Sequence, residues 1–312
     1  MIEIEHLTKE FAPGVRAVDD VTVTIADGEI AVIVGTSGSG KTTVLRMVNR
    51  LIEPTSGTVR IDGKDTRDEP AHLLRRRIGY AIQGHGLFPH RTVGQNIATV
   101  PQLLGWERAR IAARVDELLA LFQLDPAQYR DRLPGELSGG QQQRVGVARA
   151  LAAEPKLLLM DEPFGALDPI IRKKAQDDLR AIQRRFGTTI LLVTHDMDEA
   201  ISLGDRIAVM DGGKLLQCAP PEEIIARPAD PFVEELLGTG DRAFRLLALQ
   251  AVADAVEPGE APGEPVDAGT SMRDAYAEAL WSGRDALPVT QDGNPVGRVT
   301  LAALATHARG PR

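Results

Sequence analysis

Apolar and polar residues alternate in the period of a β-strand near the start of the chain, and other patterns follow. Val21–Ile25 alternates strictly, which predicts a half-buried strand. Residues 29–34 form a short apolar run, typical of a strand buried on both faces. A helical pattern runs from Lys41 to Leu51 and ends before Pro54. The order strand, strand, glycine loop and helix is therefore predicted here.

Beyond this segment, short apolar runs alternate with helical patterns. Strands are predicted at Thr58–Ile61, Lys156–Met160 and Thr188–Thr194. Hairpins are predicted where Asp62-Gly63 forms a turn after Thr58–Ile61 and over Arg206–Cys218. Helices are predicted at Pro169–Phe186 and Asp196–Leu203. Strands that alternate with helices predict an α/β fold, with a mainly parallel sheet covered on both faces.

A helical insert interrupts this alternation over about residues 85–153. Apolar residues recur there at spacings of three and four, which places them on one helix face. They are Ile111, Val115, Leu118, Leu119 and Phe122. We therefore expect a helical subdomain within a larger domain that spans residues 1–240.

The composition changes after about residue 239. Residues 241–270 are expected to form a helix and then a linker, because 257–269 is rich in Pro, Gly and acidic residues. Residues 271–312 are expected to form a small α+β unit, with a helix at Ser271–Trp281 and strands at Ala286–Thr290 and Val296–Thr300. The chain is thus predicted to have a large domain, a linker and a small domain.

Composition and charge narrow the class of protein. The 312 residues carry a formal net charge of -8. A protein with this negative charge is not broadly attracted to nucleic acid. A single cysteine, Cys218, excludes an internal disulfide. We find no run of about 18 apolar residues and no signal-peptide pattern at the start. The chain is therefore expected in the cytoplasm, and another chain would supply any membrane part.

A glycine-rich loop predicts a phosphate-binding site. Residues 35–42, GTSGSGKT, fit the pattern G-x-x-x-x-G-K-[ST] between a predicted strand and a predicted helix. Backbone N–H groups of such a loop surround phosphate oxygens, and the helix points its positive end at them. Lys41 would reach the β- and γ-phosphates, and Thr42 would bind Mg²⁺. The nucleotide-binding residues predicted here are Gly35, Thr36, Ser37, Gly38, Ser39, Gly40, Lys41, Thr42 and Thr43.

Polar residues also end the neighbouring predicted strands. Asp161 closes a buried strand and is expected to hold Mg²⁺, and Glu162 after it is expected to act on the attacking water. His195 ends the next strand and could contact the γ-phosphate. Gln83 follows the apolar residues 78–82, and its amide could bind Mg²⁺ and orient water. With the phosphate loop, Asp161 and Glu162 predict a site for a nucleoside triphosphate and Mg²⁺. From the residues alone, His195 is as readily a structural residue and Gln83 a plain polar loop residue.

Residues 137–144, LSGGQQQR, resemble the signature motif of the ABC ATPase family. Ser138 would cap a helix there, and Gly139 and Gly140 would expose a second anion-binding helix end beside Gln141. The resemblance covers about residues 1–240 and implies a head-to-tail homodimer that sandwiches two ATP molecules. It further implies ATP as substrate, Mg²⁺ as cofactor and a catalytic group of Glu162, His195, Gln83 and Lys41. Phe11 would stack on adenine, and Ser138 and Asp168 would act on the ATP of the opposite copy.

Other segments look like the quaternary-amine uptake group of ABC importers. They are residues 86–93, 163–169 and 194–200. This resemblance implies import of glycine betaine, carnitine, choline or proline betaine. It also implies a permease, contacted through residues 84–92, and an extracytoplasmic binding protein, with the chain peripheral at the cytoplasmic face of the inner membrane. Residues 286–300 resemble the core of one CBS motif, so that two such tails could pair within the dimer.

Two other functions remain open from the sequence. The chain could serve an importer of another solute, such as a polyamine, a sulfonate or an amino acid. A soluble ABC ATPase that acts on ribosomes or DNA is the more distant alternative. Such proteins usually carry two ATPase halves or a long coiled coil, whereas this chain has one phosphate loop and an acidic balance.

Overall fold

The computed structural model of the protein describes residues 1–82, 84, 86–165, 167–238 and 240–309. It divides into two compact units, Met1–Cys218 and Ala219–Arg312. The boundaries expected from the sequence, at residues 240 and 270, stay a prediction. Within the described ranges, no helix combines the length and the apolar character needed to cross a membrane.

Strands and helices of the first unit follow the predicted order closely. The strands are β1 (Ile2–Ala12), β2 (Val15–Ile25), β3 (Ile30–Val34), β4 (Ser56–Ile61), β5 (Lys64–Asp65), β6 (Ile78–Ala81), β7 (Leu157–Asp161), β8 (Thr189–Thr194), β9 (Arg206–Asp211) and β10 (Lys214–Ala219). The helices are α1 (Lys41–Val48), α2 (Ala71–Arg77), α3 (Val93–Ile97), α4 (Thr99–Leu103), α5 (Arg108–Leu121), α6 (Pro126–Tyr129), α7 (Gly139–Leu151), α8 (Pro169–Phe186) and α9 (Met197–Leu203).

The larger sheet has the strand order β10-β9-β3-β8-β7-β6 in the described part of the chain. Its inner pairs are parallel: β3 with β8 and β9, β7 with β8, and β6 with β7. The predicted parallel sheet is therefore confirmed. Because carboxyl ends of parallel strands share one edge, the residues that follow β3, β7 and β8 come together there.

The first strands form a separate sheet, which the sequence analysis did not distinguish. Its order is β2-β1-β4-β5, and its pairs are antiparallel. The alternation in β2 suits this arrangement, since antiparallel sheets often keep one face polar. Helix α1 packs into a core that joins both sheets, and Val44 and Leu45 contribute to it with Ile4 and Leu159.

Helices α3 to α7 lie between β6 and β7 along the chain. The apolar face predicted from Ile111 to Phe122 is buried in helix α5 and the residue after it. Helix α7 contacts β6 and α3. The helical region is thus held to the sheet through the helix that begins at the signature segment.

The second unit contains α10 (Pro221–Ala226), α11 (Pro231–Leu237), α12 (Arg242–Leu249), β11 (Val266–Asp267), α13 (Met272–Ser282), β12 (Ala286–Gln291), β13 (Asn294–Thr300) and α14 (Leu301–His307). Its sheet has the order β11-β12-β13 among the described residues. A core that includes Leu247, Met272 and Leu287 joins the helices to this sheet. The helix and the hairpin predicted after residue 271 are present.

The Pro- and Gly-rich residues 257–269 are bonded to this second unit. Glu257 and Arg298 exchange backbone hydrogen bonds of 2.8 and 2.9 Å. Arg284 Nη1 donates to the carbonyl oxygens of Pro262, at 3.3 Å, and Glu264, at 3.1 Å. The composition therefore correctly indicated that this segment has little regular structure, but it could not reveal these contacts.

Candidate nucleotide-binding site

The phosphate loop begins where β3 ends and closes at the first residue of α1. Gly38 and Gly40 have φ angles of 84° and 101°, a left-handed conformation that favours glycine. A Cβ on Gly40 would overlap the carbonyl oxygen of Ala17, and one on Gly35 would overlap that of Met210. The loop is therefore packed against the backbone of β2 and β9, and larger residues do not fit at Gly35 and Gly40.

Lys41 points its ammonium group back into the loop. Its Nζ donates to the carbonyl oxygens of Gly35, at 2.8 Å, and Thr36, at 2.7 Å, and lies 3.4 Å from Ser39 Oγ. The residue is 5% exposed, and burial lowers its pKa below the ordinary 10.5. An anion bound at this position would favour the charged form of Lys41 and so oppose the effect of burial on its pKa.

The predicted magnesium ligands lie together. Thr42 Oγ1 donates to Asp161 Oδ1 at 3.0 Å, and Asp161 is 1% exposed at the end of β7. Burial raises the pKa of Asp161, and the hydrogen bond from Thr42 acts in the opposite direction. Among the described residues, no group of three or more His, Cys, Asp or Glu gathers as a metal cage. One hydroxyl and one carboxylate fit Mg²⁺, which usually keeps waters and phosphate oxygens as further ligands.

Glu162 and His195 are neighbours because β7 and β8 are adjacent parallel strands. The amide of Glu162 donates to the carbonyl oxygen of Val193 at 2.9 Å. Its carboxylate Oε1 lies 3.4 Å from His195 Nδ1. Glu162 has a φ of 46°, which is uncommon for a residue other than glycine. Backbone conformations of this type often occur at functional sites. Gln83 lies outside the described residues, so its predicted role stays a prediction.

Phe11 lies near the tip of the β1–β2 hairpin. The side chain is 58% exposed, and Lys9 Nζ lies 5.2 Å from the centre of its ring. The same hairpin touches the phosphate loop, since Ala17 closes over Gly40. An exposed aromatic ring on this hairpin is available for stacking against a base.

The signature segment forms a second group with Asp168. Ser138 caps α7: its Oγ accepts from the Gln141 amide at 3.4 Å, and Gln141 Oε1 accepts from the Ser138 amide at 2.9 Å. Asp168 caps α8 by accepting from the amides of Ile170 and Ile171, both at 3.1 Å. A Cβ on Gly140 would lie 3.3 Å from Ile171, so the two helix starts are in contact.

The two groups are separate within one chain. In the part of the chain that the structure describes, no hydrogen bond or ion pair connects residues 138–141 or Asp168 with the phosphate loop or Thr43. Ser138, Gly139 and Asp168 are exposed. Within the described residues, a single copy thus presents two helix-end groups that no hydrogen bond or ion pair joins.

The sequence analysis missed Asp211, which accepts a 3.2 Å hydrogen bond from Thr36 Oγ1. Asp211 begins the turn that contains Gly212 and Gly213, and this turn was recognised only as part of a hairpin. Its place beside the phosphate loop depends on β9 lying next to β3, and no local pattern carries that information.

The parallel sheet, the glycine loop at its edge and the buried Lys41 define a nucleoside triphosphate-binding protein of the P-loop class. The family model described as "ABC transporter" matches residues 18–165. The glycine betaine uptake system ATP-binding protein YehX of Escherichia coli (strain K12) is 49% identical over 310 residues, which are 99% of this chain and 100% of the relative.

Two further comparisons agree with this family. The glycine betaine/carnitine/choline transport ATP-binding protein OpuCA of Bacillus subtilis (strain 168) is 52% identical over 238 residues, covering 76% of this chain and 62% of the relative. A solved dimeric ATP-binding cassette, MJ0796, in a post-hydrolysis state bound to ADP and Pi, is 33% identical with a TM-score of 0.65. The match covers 71% of this chain and 99% of the solved one.

The chain therefore belongs to the ABC transporter ATP-binding family. It is an ATPase whose hydrolysis is coupled to transport, with ATP as its substrate and Mg²⁺ as the accompanying ion. The predicted ABC-type ATPase fold, the enzyme class and both cofactors are confirmed.

Proposed function

We propose that this chain is the ATP-hydrolysing subunit of an importer for quaternary-amine osmoprotectants, such as glycine betaine, carnitine, choline or proline betaine. One observation carries the proposal: the similarity to a glycine betaine uptake protein extends over 99% of the chain, including the second unit. Quaternary ammonium groups are held by aromatic cages. Only 4% of these residues are aromatic, so a separate extracytoplasmic protein would bind the solute.

The phosphate loop would hold the β- and γ-phosphates of ATP. Backbone N–H groups of residues 35–43 would donate to phosphate oxygens, and Lys41 would exchange its carbonyl partners for them. Thr42 and Asp161 would hold the magnesium ion, the latter through water, together with Gln83. Bound Mg²⁺ would neutralise developing charge on the phosphates.

Glu162 and His195 would act at the γ-phosphate. Glu162 would accept a proton from the attacking water, because its carboxylate lies at the same sheet edge as the loop. His195, whose Nδ1 is 3.4 Å from Glu162 Oε1, would orient that carboxylate and contact the γ-phosphate. Phe11 would stack on the adenine.

The family resemblance and the dimeric cassette among the similar solved structures support a head-to-tail homodimer. Ser138, Gly139, Gly140, Gln141 and Asp168 of one copy would face the ATP bound by the phosphate loop of the other. The exposure of Ser138 and Asp168 is consistent with such a contact.

The remaining partners are proposed from the same family. A permease would bind near residues 84–92 and keep the chain peripheral at the cytoplasmic face of the inner membrane. The net charge of -8 supports the expectation that nucleic acid is not a partner.

The second unit resembles one CBS motif, and we propose that it pairs with the same unit of a second copy. Trp281 and Leu280 are 91% and 57% exposed at the end of α13, so they offer an apolar surface for such a contact. Glutamate at both positions should weaken self-association of the full chain in sedimentation while ATP hydrolysis persists. Unchanged self-association and unchanged osmotic regulation would exclude this role.

Uptake of labelled glycine betaine tests the transport proposal. Cells that carry the wild-type chain are compared, at low and high osmolarity, with cells that carry Glu162→Gln. We expect hydrolysis to fall about a thousandfold in this variant, because the general base is lost, with ATP binding retained. Uptake should fall with it, whereas the exposed Glu222→Gln should behave as wild type.

Each result has a defined meaning. Uptake that needs Glu162 and rises with osmolarity supports the osmoprotectant importer. Uptake that is indifferent to Glu162 removes the solute assignment, and an importer of another solute then becomes the better proposal. Normal hydrolysis by Glu162→Gln would remove Glu162 from its proposed role.

A further inference from the structure

A partly buried polar network lies between the end of β8 and the start of α8. It consists of Arg172, Glu199, Thr194 and Asp196 with the carbonyl oxygen of Leu167, and we call it the Arg172 network. None of these residues belongs to the loop, the signature or the catalytic group described above. Two of them flank His195 directly, and Leu167 immediately precedes Asp168.

Arg172 connects two separate segments of the first unit. Its Nη1 lies 3.2 Å from Asp196 Oδ2, and its Nη2 donates to the carbonyl oxygen of Leu167 at 3.2 Å. One rigid guanidinium therefore joins the residue after His195 to the residue before Asp168. A planar fork of this kind fixes direction as well as distance.

Glu199 holds the other side of His195. It is 4% exposed, and its Oε2 accepts a 2.7 Å hydrogen bond from Thr194 Oγ1. The same Thr194 oxygen accepts from the Asp196 amide at 3.1 Å. The residues on both sides of His195 are thus fixed by one buried and one partly buried hydrogen bond. Burial raises the pKa of Glu199, while Thr194 and Arg172 act against this shift.

The network is not fully bonded. Among the described residues, the buried Arg172 Nε has no hydrogen-bond partner, and Glu199 Oε1 lies 3.7 Å from it. This separation exceeds a normal N–H···O distance by several tenths of an ångström. A small approach of α8 to α9 would complete the bond.

We propose that Arg172 and Glu199 are positioning residues for ATP hydrolysis, which fix His195 relative to the Leu167–Asp168 segment. The inference rests on the proposed function, in which His195 serves the ATP of its own copy and Asp168 faces the ATP of the other. The Arg172 network then links the two ATP sites mechanically. Movement of Asp168 on closure of the dimer is transmitted to His195 and, through it, to Glu162.

Steady-state hydrolysis and equilibrium ATP binding by the full chain test this inference. The variants are Arg172→Gln, Glu199→Gln and the double variant, with Lys173→Ala as the matched control. Lys173 neighbours Arg172 but is exposed and pairs with Asp177 on the surface. Glu199→Gln keeps the side-chain shape and its bond to Thr194, so that it tests the charge without a cavity.

We expect kcat to fall between roughly ten- and a hundredfold in each single variant, because small misplacements of catalytic groups have effects of this size. The ATP dissociation constant and the stoichiometry of binding should stay as in wild type, since Lys41 and the loop are unchanged. The double variant should be no slower than the slower single variant, as expected for residues that act as one unit. Lys173→Ala should keep the wild-type kcat.

Failure of the inference can be told from failure of the proposed function. If Arg172→Gln and Glu199→Gln hydrolyse ATP at the wild-type rate while Glu162→Gln does not, the positioning role is overturned and the ATPase mechanism stands. A fall in kcat that matches a fall in binding stoichiometry means loss of folded protein and also overturns the role. If the wild-type chain does not hydrolyse ATP, the proposed function itself is wrong.

Discussion

Helices α1 and α7 both begin at glycines that are proposed to face phosphate, but their first turns are built differently. In α1 the N-cap is Gly40, and within the described residues it provides no side-chain cap. In α7 the N-cap is Ser138, whose hydroxyl and Gln141 partner close a complete capping box. The start of α1 is enclosed by the backbone of β2 and β9, whereas the start of α7 is exposed.

The start of α1 is therefore a preformed anion site, whereas the start of α7 binds an anion only in competition with its own capping side chains. In the described part of the chain, the N-cap of α1 offers no side-chain acceptor, so the first N–H groups of this helix gain most from an external anion. Those of α7 are already bonded in part by the helix's own side chains, so that an anion must compete with Ser138. We infer that ATP binds first to the loop of one copy, and that the signature end of the other copy joins when the dimer closes.

Among the variants that test this comparison, the one that removes the Lys41 side chain should show the largest change, which is in ATP binding. Lys41→Ala is expected to weaken ATP binding by about 3 kcal/mol, because it removes a charged donor to the phosphates from a buried position. Calorimetric titration of the full chain measures this change. The exposed Lys64→Ala serves as the control. ATP affinity that is unchanged in Lys41→Ala would contradict the proposed loop geometry.

Glycine substitutions at the two helix starts should give contrasting results. Gly40→Ala is expected to lower the free energy of unfolding by about 2 kcal/mol, because φ is 101° and the new Cβ would overlap Ala17. A Cβ at Gly139 meets no described atom within 4 Å, so Gly139→Ala should not lower the free energy of unfolding. Urea denaturation compares the two variants. Equal losses of stability would mean that the two helix starts are not packed differently.

The smallest effect is expected from the cap of α7. Ser138→Ala should lower the free energy of unfolding by about 1 kcal/mol, because one first-turn N–H loses its acceptor. ATP binding to the monomer should stay as in wild type, while ATP-dependent dimerisation in a Glu162→Gln background should weaken. Ser138→Thr, which keeps the hydroxyl, should resemble wild type. Dimerisation that is indifferent to Ser138 would exclude the signature end from the ATP contact.

Sequence patterns predicted which side chains gather at one sheet edge, because chemistry and strand ends coincide there, and the roles assigned to these side chains stay predictions. Lys41, Asp161, Glu162 and His195 each follow an apolar run, and the structure brings them to one sheet edge. The rule that parallel strands end at a common edge was sufficient for this. The limits of α8, Pro169–Phe186, were also predicted, because Asp168 and Pro169 mark its start and Gly187 its end.

Contacts that depend on strand order could not be predicted in this way. Asp211 meets Thr36 only because β9 lies beside β3, and Arg172 meets Asp196 only because α8 folds back on the residues after β8. The antiparallel sheet of β1 and β2 was missed for the same reason. Alternation reveals a half-exposed strand, but it does not identify its partner.

The close packing around Gly35 and Gly40 has a consequence for synthesis of the protein. The loop motif is complete once residue 42 has been made, but its walls include Ala17 and Met210, and Thr36 bonds to Asp211, 175 positions later. A nascent chain therefore carries the motif long before it carries the site. Capture of ATP should begin only after β9 has left the ribosome, and it then stabilises the finished first unit rather than any shorter piece of the chain.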